Sequence, residues 1–343
     1  MRKILLSPLL LLLLAVFSSL NGFAENQHET SEKKEAFNPT PQILHHIADS
    51  YEWHLWGEVS IPLPVILYTS GHVDFFMSSD FHHGKSKVTK GNRTYKIDHH
   101  QIIEENNKEF INLSITKNVA SMMISVLLLF FLLRKTARSY KNKKESPKGI
   151  QAFLEPLILF VREDIIKSNI GVKHEKFTMF LMTVFFFILI NNLLGLTPGA
   201  ANVTGNISVT LVLSVFTFII ITVSANKGYW KHIVKPPGTP AILLPIMVLV
   251  EIFGVFTKPF ALMIRLFANI TAGHIIIFSL ISLIFVASNN GENVVAGWSV
   301  APISVLFVLF IFLIELLVAF LQAYIFTLLS AVFIGLAVKE EDH

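Results

Sequence analysis

The sequence predicts an all-α integral membrane protein: about five membrane helices, two of them long and tilted, one amphipathic helix on the cytoplasmic surface, and a small periplasmic N-terminal segment with β-strands. Three observations carry this. Hydrophobic residues make up 52% of the 343 and charged residues only 15%, with a mean hydropathy of +0.59, a balance foreign to a water-soluble domain of this size. Apolar runs long enough to cross a bilayer recur from residue 117 onward. Basic clusters alternate with uncharged loops between those runs, which is how orientation is written into a membrane chain. The formal charge of +4 and the pI near 9.1 belong to that orientation signal, so nucleic-acid binding is excluded. With no cysteine, disulfides, thiolate chemistry and cysteine-based zinc sites are excluded as well.

Residues 1–24 read as a secretory signal peptide. Arg2 and Lys3 precede the apolar run "ILLSPLLLLLLAVF", and Gly22 and Ala24 supply the small residues of a cleavage site. A cleavable signal of this kind on a multispan chain points to a bacterial source, and residues 25–115 follow as a periplasmic extension. Its opening, "ENQHETSEKKEAFNPTP", has little to bury and reads as a linker. Further on, "EVSIPLPVILY", "HVDFFMSS" and "RTYKIDHHQII" carry β-branched and aromatic residues separated by turn-forming "TSG", "HHGKS" and "KGN", so short strands are expected. Most of the 13 histidines fall here, including the pairs His45/His46, His82/His83 and His99/His100. Their spacing matches no ligand pattern, so they read as solvated surface, and no metal or cofactor is expected.

The membrane-embedded domain covers 116–343. Its first span contains "VASMMISVLLLFFLL" and ends in the basic "RKTARSYKNKK", where Arg134, Lys135, Arg138, Lys141, Lys143 and Lys144 mark the cytoplasmic side. Next, Leu154, Leu157, Ile158, Val161 and Ile165 recur at helical spacing while Glu155, Arg162, Glu163 and Lys167 fall largely off that stripe. This segment is expected to lie on the cytoplasmic membrane surface. Residues 177–196 and 207–225 read as spans joined by the uncharged "TPGAANVTGN", an outside loop. Lys227, Lys231 and Lys235 return the chain to the basic side.

Two apolar blocks close the chain, 241–287 and 296–338, each roughly double the length of a perpendicular crossing. Each could be a hairpin of two spans or one long helix; neither has a polar turn at its middle, so two long tilted helices are expected. Their ionisable residues are Glu251, Lys258, Arg265, His274 and Glu315. A charge at bilayer depth costs about 2.5–3.5 kcal/mol on insertion scales and marks an ion pathway by default. Glu251, Lys258 and Arg265 recur at steps of seven and share one stripe with Asn269, while His274 projects from the opposite side. Glu315, Ala319 and Gln322 form a stripe on the last helix. Lys258 reads as snorkelling towards the cytoplasm. Arg265 never releases its proton, so it cannot relay one. A single fixed cation is instead suited to attracting a partner carboxylate and blocking direct ion flow.

These segments, "RLFANITAGH" and "ELLVAFLQAYIF", resemble the signature segments of subunit a of rotary F-type ATP synthases, and the likeness covers about 117–338. The resemblance implies that Arg265 is the essential rotor-facing arginine and that Asn269 and Gln322 position it. It further implies that His274 and Glu315 line the periplasmic half-channel and that Glu251 is the acidic residue of the cytoplasmic one. In many bacterial members the residue after Gly273 is Glu and the one at 315 is His. Here the pair is exchanged, as in mitochondrial subunits, which supports proximity of the two side chains.

The function this implies is that of a proton-translocating stator subunit, not an enzyme on its own, which loads and unloads a carboxylate on a ring of small rotor (c) subunits. Peripheral-stalk (b) subunits, the ATPase head and the lipid bilayer are the further partners, and the inner membrane is the location. The competing reading is a self-contained secondary transporter or ion channel. That needs internal repeats or broken helices around a midplane pocket, and no repeat is evident.

Overall fold

The computed structural model describes residues 38–339, apart from 42, 44–47, 57–58, 70, 83, 85, 92, 99–100, 107–108, 140–148, 198, 200 and 237. The signal peptide at 1–24, His45, His46, His83, His99, His100 and the basic residues Lys141, Lys143 and Lys144 lie outside the described residues.

Among the described residues the extension holds eight short strands: β1 (Glu52–Trp56), β2 (Val59–Pro62), β3 (Pro64–Thr69), β4 (His72–Met77), β5 (Val88–Lys90), β6 (Arg93–Asp98), β7 (Gln101–Glu104) and β8 (Ile111–Asn112). They pair antiparallel as a β1–β2 hairpin, a β4–β3–β8 sheet and a β5–β6–β7 sheet. Alternation along β3 buries Val65, Leu67 and Thr69 on one face. Val65 and Leu67 join Tyr51, Phe76, Phe81, Val88, Tyr95 and Ile102 in a small core. Tyr95 anchors it: the ring stacks on Phe76 with centroids 6.0 Å apart, and its hydroxyl donates to Asp74 Oδ2 at 2.6 Å. Burial, and then the Asp74 carboxylate, hold that phenol above its ordinary pKa.

Backbone pairing carries the module straight into the bundle. Leu113 N–H donates to Ile66 O at 2.9 Å, Ile115 N–H to Pro64 O at 3.1 Å and Lys117 N–H to Ser50 O at 2.9 Å. There α1 (Lys117–Ser139) begins. It is followed by α2 (Ile150–Leu159), α3 (Glu175–Gly195), α4 (Ile207–Ser224), a short α5 (Lys227–Val234), and the long α6 (Leu244–Ala287) and α7 (Val294–Val338). Among the described residues, five stretches are long and apolar enough to cross a membrane: Lys117–Arg138, Ile150–Gly195, Ile207–Ser224, Leu244–Ala287 and Val294–Val338.

The hairpin alternative for the last two blocks falls away. α6 and α7 run unbroken for 44 and 45 residues, through Pro259 and Pro302 respectively. At 1.5 Å per residue each is roughly 66 Å long, against a hydrocarbon core of about 30 Å. Asn289, Asn290 and Gly291 reverse the chain between them, with φ of 46°, 57° and 95°, a left-handed run suited to Asn and Gly. Asn293 then caps α7 by accepting from Ala296 N–H.

The amphipathic segment departs from expectation in one respect. α2 continues as a π-helical stretch, Phe160–Lys167, and one more turn, Ser168–Ile170, before Gly171 at φ 73° breaks the helix ahead of α3. Its apolar stripe is not turned to lipid. Leu154, Val161, Ile165, Ile166 and Ile170 are buried in the main core with Phe177, Leu181, Phe185 and Ile188 of α3 and Phe326, Ala331 and Ile334 of α7. Gly335 permits the contact, because a Cβ there would overlap the Asn169 carbonyl. Gly335→Val therefore forces backbone apart and is expected to cost about 1–3 kcal/mol. A lower aggregation temperature of the detergent-solubilised chain would register it; an unchanged one would show that the contact yields freely.

α4 packs against α6 and α7 and carries a buried stripe of Thr210, Ser214 and Thr217. Their hydroxyls donate to carbonyls of their own helix, those of Ile207, Leu211 and Leu213, so the stripe stays small and satisfied while the helices approach closely.

Candidate functional site

Arg265 sits at the middle of α6, so the helix extends roughly 30 Å from it in each direction. Its neighbours Leu262, Met263 and Leu266 are buried, yet Arg265 and Asn269 are exposed on the outer surface of the chain. Glu251 lies about 21 Å before Arg265 along the axis and His274 about 13 Å after it. The titratable groups are thus distributed to either side of a fixed cation, towards opposite ends of the bundle.

On the His274 side α6 and α7 are in close contact. A Cβ at Gly273 would overlap the Glu315 carboxylate, so the missing side chain is what lets Glu315 lie against the residue next to His274. The His274 ring faces the end of α3, with Nε2 4.0 Å from the position of a Cβ on Gly195. Glu315, Ala319 and Gln322 are all buried, at 8%, 1% and 4% exposure, so this stripe faces the interior where Arg265 faces outward. Asn192 of α3 ties the region together: its amide donates to Ala319 O at 3.0 Å, and its Oδ1 accepts from Thr204 at 2.6 Å. Several buried polar atoms here have no hydrogen-bond partner within the protein, namely Glu315 Oε2, Asn191 Oδ1, Asn202 Nδ2 and, on α1, Asn118 Oδ1. A buried polar atom without a protein partner has the capacity to bind water, and these four stand out in an otherwise apolar bundle.

The other end is built differently. Lys258 does not snorkel free: its ammonium stands over the rings of Tyr229 and Phe333, 6.0 and 5.3 Å from their centroids. Tyr229, on α5, feels the Glu251 carboxylate; burial first and that charge second raise its phenol pKa above the ordinary value. Asn226 caps α5 by accepting from Tyr229 N–H at 2.8 Å, and its own backbone N–H donates to Ala337 O at 2.9 Å. Glu251, Lys258 and Tyr229 are thereby gathered where α5, α6 and the end of α7 meet.

Sequence reading singles out neither Asn192 nor Thr204, because an Asn and a Thr beside an uncharged loop carry no charge to notice. It misses Lys117 for another reason. A lysine at the start of a span reads as an interfacial anchor, whereas this one is 8% exposed.

Fold and site together define a polytopic helical membrane protein that holds ionisable groups at bilayer depth, the character of an ion-pathway component. The ATP synthase A chain family matches residues 119–335. A second family, described as a domain of unknown function, matches residues 42–122. The chain is 48% identical over 239 residues to ATP synthase subunit a of Chloroherpeton thalassium, covering 68% of this chain and 69% of that one. It is 46% identical over 266 residues to the subunit a of Chlorobium phaeobacteroides strain BS1, covering 71% and 76%. With ATP synthase subunit a of Myxococcus xanthus it shares 45% identity over 240 residues, covering 68% and 76%. The chain belongs to the ATP synthase subunit a family, a non-catalytic component of the membrane sector.

Proposed function

We propose that this chain is the proton-translocating stator subunit of a bacterial ATP synthase, with Arg265 facing the carboxylate of a ring of small subunits and a half-channel on either side. The observation that carries the reading is the exposure of Arg265 at the middle of α6. A guanidinium at that depth cannot be left to lipid, so a partner inside the membrane covers it. Asn269, also exposed and one turn on, meets the same partner. Protons enter from the periplasmic side past His274 and Glu315 and neutralise the ring carboxylate. After nearly a full rotation that carboxylate reaches the aqueous path near Glu251, and the approach of Arg265 favours its ionised form. Gln322 is buried on α7 while Arg265 faces outward, so its part in positioning the arginine rests on the family resemblance alone.

Orientation follows the charge. Arg134, Lys135, Arg138, Lys227, Lys231 and Lys235 stand at one end and are assigned to the cytoplasm, which puts the β-module in the periplasm. Peripheral-stalk subunits and the ATPase head complete the partners. The test uses the absence of cysteine in this chain. Asn269→Cys supplies a single thiol, which should cross-link to a thiol placed near the carboxylate of a ring subunit in the assembled complex. Proton conduction by the purified chain alone in liposomes, without such a cross-link, would replace the reading by a self-contained channel.

A further inference from the structure

The β-module is hydrogen-bonded to the membrane bundle at the end where His274 and Glu315 lie. Trp53 of β1 donates its indole N–H to the carbonyl of Gly199, in the α3–α4 loop, at 2.7 Å. Ser50 O accepts from Lys117 N–H at 2.9 Å, and the Asp49 carboxylate accepts from Asn118 N–H at 3.2 Å. The first turn of α1 is therefore held by residues of the module. That hold buries Lys117, whose ammonium lies within electrostatic range of Asp49 and of His274. Along α1 the next polar residues, Asn118, Ser121 and Ser125, are buried too, at 4%, 2% and 1% exposure, and their three- and four-residue spacing makes them one stripe. Asn118 Oδ1 has no hydrogen-bond partner within the protein. A lysine at a membrane boundary ordinarily extends to headgroups and water. One that is buried loses hydration and is held in place by what surrounds it.

We propose that the β-module is a built part of the periplasmic half-channel: it seats over the mouth through Trp53 and fixes Lys117, balanced by Asp49, as a charge that entering protons pass before His274. The inference rests on the half-channel reading of His274 and Glu315. A fixed cation beside the mouth raises the barrier to an entering positive charge, and the neighbouring carboxylate offsets part of it. Removing the cation and removing its balancing anion then act in opposite directions. A merely structural role would make both variants slower.

The experiment is ATP synthesis by the complete complex in liposomes, at an imposed potential low enough that proton entry limits the rate. Lys117→Gln is expected to raise the initial rate and Asp49→Asn to lower it, each by about threefold, with Lys117→Arg close to the parent. Equal rates for all three, or a parallel fall in Lys117→Gln and Asp49→Asn, overturns the proposal. Should Lys117→Gln fail to assemble, Ser121→Cys decides: modification by a cationic thiol reagent from the module side slows synthesis, and modification without slowing overturns the proposal. Glu315→Gln separates the two levels. If it stops synthesis while the Lys117 and Asp49 variants are neutral, this inference fails alone. If it runs at the parent rate, the half-channel reading fails with it.

Discussion

Arg265→Ala is expected to abolish ATP-driven proton pumping in membrane vesicles while the complex still assembles. The guanidinium stays charged at every physiological pH, so its effect on an approaching carboxylate is constant. At about 4 Å and an effective dielectric of about 20, two unit charges interact by about 4 kcal/mol, close to a thousandfold in the carboxylate's acidity. On the proposed mechanism, loss of that attraction leaves the ring carboxylate without the charge that favours release of its proton. The barrier proposed between two half-channels is removed as well, because a neutral side chain does not repel a proton crossing directly. Pumping should fall at least about 100-fold, and passive proton leak through the membrane sector should rise. Arg265→Lys keeps the charge but loses the planar fork, and should fall between the two. A ΔpH-sensitive dye in vesicles energised with ATP reads the first effect, and the same dye under an imposed potential reads the second. Normal coupled pumping by Arg265→Ala would remove the arginine from the mechanism.

What can be read from the sequence follows from how strongly the bilayer constrains a chain. A helix that must hide every backbone polar group from lipid writes a long apolar run, so the spans are evident in the order of residues, whereas the unbroken courses of α6 and α7 rest there on the missing polar turn alone, since blocks of that length also fit hairpins. The β-module is legible where β-branched and aromatic residues gather between turn formers: β3, β4 and β6 stand out, whereas β5 and β8, of three and two residues, are too short to do so. The stripe from Leu154 to Ile165 is recognisable as apolar, but periodicity states only that a face is covered. It cannot distinguish lipid from Ile334 and Ala337 of a helix about 170 residues later. Charge within an apolar run draws notice to Arg265, His274 and Glu315 at once. Lys117, Asp49 and Trp53 acquire meaning through contacts across long sequence separations, such as that of Trp53 with Gly199, which no local pattern encodes.

Gly273 offers the sharpest test of the His274–Glu315 side, because the prediction rests on space rather than charge. Gly273→Ala puts a methyl group where the Glu315 carboxylate lies, and backbone on α6 cannot move aside in a packed bundle. The carboxylate must swing away, which on the proposed function breaks the path from His274. Loss of the aligned relay is expected to slow proton flux at least about tenfold, about 1.4 kcal/mol on the barrier, while the ring and the arginine stay in place. Glu315→Asp alone withdraws the carboxylate by one methylene and should also be slow. Combined, the two changes compensate: the shorter side chain leaves room for the methyl group, so the double variant should run faster than Gly273→Ala. Such non-additivity is the signature of two residues sharing one space. If instead the losses simply add, Gly273 acts on helix packing at large and the carboxylate is not what it accommodates.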